Sequence, residues 1–179
     1  KHERSESLMS KILNFIFTLI GAKNILGKQL SDLDNFKNEP DAITKSVKRI
    51  CKIQEETFGE RVLWTLSPKS NKTDKAILYI HGGGYVLNVS SMLWNYLAKV
   101  VENTGATIMV TNYPLAPQSN AKEAYDYLNK LYKIFLDRYE GREVLFLADS
   151  AGAGLAISFA QYLNEVNLPQ PKKIILSSP

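Results

Sequence analysis

The stretch VLFLADSAGAG, residues 144–154, passes from an apolar run to a cluster of small residues with no polar loop between them. The run reads as a strand over Glu143–Ala148. The segment after it reads as a helix over Ala151–Asn164, apolar on nearly every side and therefore expected at the centre of the fold. A strand that enters a helix without a loop must turn sharply, and such a turn holds the residue at its apex, here Ser150, with the hydroxyl clear of the sheet edge. Crowding in the turn demands small residues two positions before and after the apex. Gly152 meets that demand, and Ala148 exceeds it by one methyl group. The helix N-terminus adds partial positive charge at the same place. Ser150 thus reads as a nucleophile; the simpler alternative is a serine that caps the helix.

Outward from this junction, strands and helices alternate. RVLWTLSP (61–68) and AILYI (76–80) read as strands, followed by a helix over Ser91–Asn103, a strand over Ala106–Asn112, a helix over Ala121–Arg138 and, after the opening stretch, the strand KIILSS at 173–178. The helices carry apolar stripes, for example Leu93, Leu97, Val100 and Val101. The strands are too apolar to leave a wet face, so the expectation is a mainly parallel sheet with helices on both sides. Up to Glu60 no run alternates convincingly like a strand, and residues 1–60 read as a helical extension broken at Gly27, Asn38 and Pro40. The expected division is therefore 1–60 and 61–179.

The strand AILYI runs into HGGGY, residues 81–85. Three successive glycines cost conformational entropy, and the usual reason for them is close approach of bare backbone to a ligand or unusual φ values. Such a turn exposes N–H donors. Aimed at a developing oxyanion, each is worth about 2.7–4 kcal/mol of transition-state stabilisation. The spacing fits neither the dinucleotide fingerprint nor the Walker phosphate loop, and a plain tight turn is the remaining alternative. A third segment, NYPLAPQ (112–118), is restricted by its two prolines and says nothing by itself about catalysis.

In this order HGGGY, NYPLAPQ, ADSAGAG and IILSSP resemble the hormone-sensitive-lipase-like branch of the α/β-hydrolase esterases, across roughly residues 60–179. The family usually reads Tyr-Arg-Leu-Ala-Pro-Glu in the middle loop and Gly-Asp-Ser-Ala-Gly-Gly at the serine; this chain has Pro114, Gln118, Ala148 and Ala153 instead. The resemblance implies an α/β-hydrolase fold. It implies Ser150 as nucleophile, the N–H groups of Gly83, Gly84 and Ala151 as oxyanion donors, and His81, Gly82, Asp149 and Gly152 as structural residues of the site. It further implies a cap formed partly by the N-terminal helices, a small-molecule ester of short to medium acyl length as substrate, an acyl-enzyme intermediate, and no metal or cofactor.

In that fold the triad follows the chain order Ser, acid, His. After Ser150 the chain offers Glu165, which reads as a surface charge at a helix end, and no histidine; His2 and His81 both precede the serine. The acid and base are therefore expected from a C-terminal segment or a second chain, the present sequence being the N-terminal half of the domain. A non-catalytic relative that keeps the fold as a binding or scaffold protein is the alternative.

Composition excludes other classes. With 45% hydrophobic residues and 22% charged among 179, the chain is neither disordered nor fibrous, and a net charge of +4 spread over both signs gives no stripe for nucleic acid. Cys51 is the single cysteine, so a disulfide framework and a cysteine-based zinc site are ruled out within the chain. The apolar run ILNFIFTLIGA, residues 12–22, is shorter than the ~20 residues a membrane span needs. It reads as an amphipathic helix, with a signal-peptide core as the other reading. The expected location is cytoplasmic, and residues 1–8 read as a polar leader.

Overall fold

A computed structural model describes residues 39–177. The expected helix at 12–22 and most of the expected cap lie outside the described residues. The elements are α1 (Lys45–Ile50), β1 (Cys51–Phe58), β2 (Arg61–Pro68), β3 (Lys75–Ile80), α2 (Ser91–Thr104), β4 (Thr107–Val110), α3 (Ala121–Arg138), β5 (Glu143–Asp149), α4 (Ser150–Glu165) and β6 (Lys173–Ser177). They build one six-stranded sheet in the order β1-β2-β4-β3-β5-β6. β4, β3, β5 and β6 are parallel, whereas β1 and β2 are antiparallel to each other and β2 is antiparallel to β4.

Period-two alternation divides the core. Ala76, Leu78 and Ile80 of β3, with Phe146 and Ala148 of β5, face the apolar stripes of α3 and α4. Ile77 and Tyr79, with Leu145 and Leu147, face α1 and α2. Both faces of the parallel strands are thus covered, as their continuous apolar character requires. The long helices start where the sequence provides caps: Ser90 accepts from the Leu93 N–H at α2, and Asn120 and Glu123 form a reciprocal capping box at α3.

Two expectations are corrected. Residues 51–58 are a strand, β1, and not the end of a helical extension: they pair with β2 from Cys51 opposite Pro68 to Phe58 opposite Arg61. CKIQEETF hides this because an edge strand carries charges on its exposed positions. The half-buried Glu56 binds Arg138 of α3 through both carboxylate oxygens. Secondly, α4 is not central. Its Ala153, Ala156, Phe159 and Leu163 are buried against the sheet, but Ile157 on the other side is 43% exposed. The outward face is apolar without being covered by any described residue, and so are Ile174 (36% exposed) and Ile175 (46%) on β6.

Candidate active site

The site lies where β3 and β5, neighbours in the sheet, end side by side. At the end of β5, Asp149 is the last strand residue and Ser150 the first helical one. Ser150 has φ 47, a conformation that non-glycine residues rarely adopt and that costs of order 1–3 kcal/mol. Asp149 occupies the N-cap position of α4 without bonding to its backbone, so the helix-capping alternative for Ser150 does not describe this turn. The serine is exposed. Gly152, one of the two small neighbours anticipated from the sequence, is required sterically: a Cβ there would lie 2.3 Å from the Ile80 carbonyl oxygen and 2.4 Å from that of His81. Ala148 is fully buried.

At the end of β3, the glycine loop passes beside the serine closely enough that a Cβ on Gly82 would come 3.0 Å from the Ser150 Cβ. Gly83 and Gly84 take φ values of 108 and 62. The Gly83 carbonyl accepts from the Val86 and Leu87 N–H groups at 3.1 and 2.9 Å, which closes the loop on itself. Among the described residues no acceptor engages the N–H of Gly83 or Gly84. The N–H of Ala151, in the first turn of α4, belongs to the donors that a helix leaves unpaired. Gly82, at the start of the loop, thus lies against Ser150; Gly83 and Gly84 follow it directly in the chain, and Ala151 follows the serine.

Asp149 joins the two junctions. One of its carboxylate oxygens accepts from the Gly82 N–H at 3.0 Å and from the Tyr79 hydroxyl at 2.5 Å. Burial, and then donation to Asp149, push the Tyr79 phenol well above its ordinary range, so it remains a donor at any physiological pH. His81 is fully buried. Its Nδ1 donates to the Gly82 carbonyl at 2.7 Å, its ring stacks on Tyr113 with centroids 4.5 Å apart, and burial lowers its pKa to about 4. It is therefore neutral, engaged with the Gly82 carbonyl and the Tyr113 ring. The Tyr113 hydroxyl donates to the His81 carbonyl at 2.8 Å.

Tyr79 and Tyr113 were not singled out from the sequence. Tyr79 had a signal: it sits two residues before the glycine loop on a strand where the remaining side chains are aliphatic. Tyr113 had none beyond the NYPLAPQ segment, whose prolines carry no chemistry. Glu165 ends α4 and is exposed, so it is not brought to the serine. Among the described residues no group of His, Cys, Asp and Glu could hold a metal ion, and no helix is long and apolar enough to cross a membrane. Cys51 is buried, and burial raises its thiol to about 11, which removes it as a nucleophile.

The chain is 28% identical to a triacylglycerol lipase of Mycobacterium tuberculosis over 128 residues, 71% of this chain and 29% of that protein. It is 32% identical to the esterase LipU of the same organism over 111 residues, 60% of this chain and 36% of that one. An acetyl-hydrolase of Streptomyces hygroscopicus is 30% identical over 107 residues, 59% and 36% of the two chains. The chain thus spans about a third of the length of these relatives. Among solved structures, one from Staphylococcus aureus superposes with a TM-score of 0.72 at 21% identity, over 87% of this chain and 51% of that one. The metagenomic EstE7, described as a homologue of hormone-sensitive lipase, superposes at 0.63 and 23%, over 73% and 47%. These likenesses are of fold, and they agree with the parallel sheet and helical layers described above. A family model described as alpha/beta hydrolase fold matches residues 77–179, from β3 through both junctions, and the chain belongs to that family.

Proposed function

We propose that the protein carrying this chain hydrolyses carboxylic esters of small to medium size through an acyl-enzyme on Ser150. The observation that carries the reading is the strained Ser150 at the strand-to-helix junction with the glycine loop tied beside it by Asp149. In this reading the Ser150 hydroxyl oxygen attacks the ester carbonyl, and the N–H groups of Gly83, Gly84 and Ala151 take the charge that develops on the carbonyl oxygen. The alcohol leaves with a proton, and water then releases the acid from the serine. His81, Gly82, Asp149 and Gly152 hold the loop and the elbow without touching the reacting atoms.

The base that takes the serine proton comes, in this proposal, from polypeptide outside these 179 residues, either a C-terminal continuation or a second chain. Two things support this: His81 is buried and engaged at the foot of the loop, and the relatives are roughly three times as long as the matched segment. The same histidine census favours a second reading, a relative that retains the fold for binding only. Hydrolysis of p-nitrophenyl acetate separates the two. The full-length protein is expected to turn it over, and Ser150→Ala to reduce kcat by at least about 10⁴, as loss of a triad serine does. Equal turnover by the variant rejects the acyl-enzyme, and no turnover by either protein favours the binding reading.

A further inference from the structure

We propose that Asp41, in the segment before α1, is a positioning residue for the Gly84 oxyanion donor, which it aims by fixing the exit of the glycine loop; this rests on the esterase reading above. Asp41 is bonded to the stretch where the loop becomes α2. Its N–H donates to the Val89 carbonyl at 2.9 Å, its carboxylate accepts from the Ser91 N–H at 2.7 Å, and its carbonyl accepts from the Trp94 indole N–H at 2.8 Å. Val89 and Trp94 are buried, so the two backbone bonds are seated on the core. The carboxylate adds something else. α2 is already capped by Ser90, which serves the Leu93 N–H, and Asp41 takes a donor that this cap leaves free, the first N–H of the helix. A charged acceptor at the positive end of a helix holds that donor more firmly than a neutral one would.

The path from Asp41 to Gly84 is short. A peptide unit is planar and trans, so the Gly84 N–H points opposite to the Gly83 carbonyl. That carbonyl is held by the Val86 and Leu87 N–H groups at 3.1 and 2.9 Å, and the placing of residues 86 and 87 therefore decides where the Gly84 hydrogen aims. Before Val86 the loop is held from outside through the Gly82 N–H on Asp149 and the Tyr85 carbonyl on the Ala116 N–H. Beyond Leu87 it is held by Asn88 on the Asn112 side chain and by Asp41 on Val89 and Ser91. Release of the Ser91 bond frees the far end to drift, and Val86 and Leu87 carry the Gly83 carbonyl with them. A displacement of about 1 Å at a distance from the chemistry costs up to about 10²-fold in rate.

Two substitutions in the full-length protein remove the carboxylate bond from opposite ends and leave the backbone bonds of Asp41 in place. Asp41→Ala deletes the acceptor. Ser91→Pro deletes the donor at the first helical position, which suits proline, and Ser90 already has the extended backbone, φ −86 and ψ 163, that a following proline demands. Each should lower kcat for p-nitrophenyl acetate about fivefold while KM stays within about twofold. The double variant should lose no more than either alone, because both remove one bond, and Asp41→Asn, which keeps an acceptor oxygen, should recover most of the loss. Circular dichroism melting shows which variants are folded, and where Asp41→Ala is not, Ser91→Pro makes the same comparison. A lowered melting temperature with kcat unchanged would make Asp41 a helix-start residue only and overturns the positioning role, as do losses that multiply in the double variant. Amide hydrogen exchange reads the same link without substrate: the Val86 and Leu87 amides should exchange about tenfold faster in either variant, with those of β5 unchanged. Unaltered exchange at 86 and 87 also overturns the role. Where the wild type hydrolyses no ester the esterase reading fails by itself, and exchange alone decides whether Asp41 holds the Gly83–Gly84 peptide.

Discussion

The junctions from β3 to α2 and from β5 to α4 lie next to each other and connect a parallel strand to a helix in opposite ways. The first spends ten residues, 81–90, and places glycine at two of its three positive-φ positions, Gly83 and Gly84, with Tyr85 at the third, at an entropic cost of roughly 0.5–1 kcal/mol per glycine. The second spends none, and its strain falls on Ser150. Neither is stable by its own bonding. The loose junction is held by Asp149 at the strained one, and the strained one is held by the packing of Gly152 on the carbonyls that open the loose one. Each supplies what the other lacks: free donors on one side, a presented hydroxyl on the other, and mutual restraint between them.

Four perturbations break or sharpen that comparison. Gly152→Val should have the largest effect, a loss of at least about 4 kcal/mol in urea unfolding, because the new Cβ meets two backbone oxygens that cannot retreat without moving β3. A loss under 1 kcal/mol would mean that the junctions are not packed as described. Gly83→Ala acts on the other side. Its Cβ would lie 2.5 Å from the Leu87 carbonyl oxygen at φ 108, so the loop should shift and kcat should fall about 10²–10³, the equivalent of one misplaced oxyanion donor, with a smaller effect on unfolding than at Gly152.

The third concerns pH. The folded state holds His81 neutral with a pKa lowered to about 4, while the unfolded chain binds the proton near 6.5. No stability is lost to it above pH 6.5; the loss grows as the pH falls and amounts to about 3 kcal/mol by pH 4. His81→Asn should flatten the unfolding profile over that window, and an unchanged profile would place the acid sensitivity elsewhere. The smallest effect belongs to Tyr79→Phe, which removes one of the two donors on Asp149. A stability loss of about 1 kcal/mol is expected, with kcat lowered more than KM is raised; a change in KM alone would show that the tether does not reach the donors.

The parts of this arrangement that could be read in the sequence are those where one residue type answers one steric demand. Ser150, Gly152 and the three glycines announced their positions because few residues tolerate such backbone. The extent of α3 was legible as well, because its apolar residues recur at helical spacing from Ala121 onward. β1 was not, because its polar edge residues mimic a solvated helix and only the β2 ladder distinguishes them. The exposed flank of α4 was missed because periodicity reports that a side is apolar and is silent on whether anything covers it. The hydrogen-bond partners of Tyr79 and Tyr113 could not be read, because they lie 70 and 32 residues away. The sequence makes such pairings only through the completed sheet.

The position of β4 between β2 and β3 has a consequence for synthesis. β2 and β3 follow each other in the chain but do not pair; each pairs with β4, residues 107–110, between them. On a ribosome the hairpin of β1 and β2 is made before β4, its sheet neighbour, which follows 39 residues after Pro68. At roughly 5–20 residues per second that is about 2–8 seconds in which the edge of β2 that receives β4 has no partner strand. The nascent chain therefore carries an open strand edge, a template for wrong pairing, before the serine has even been translated.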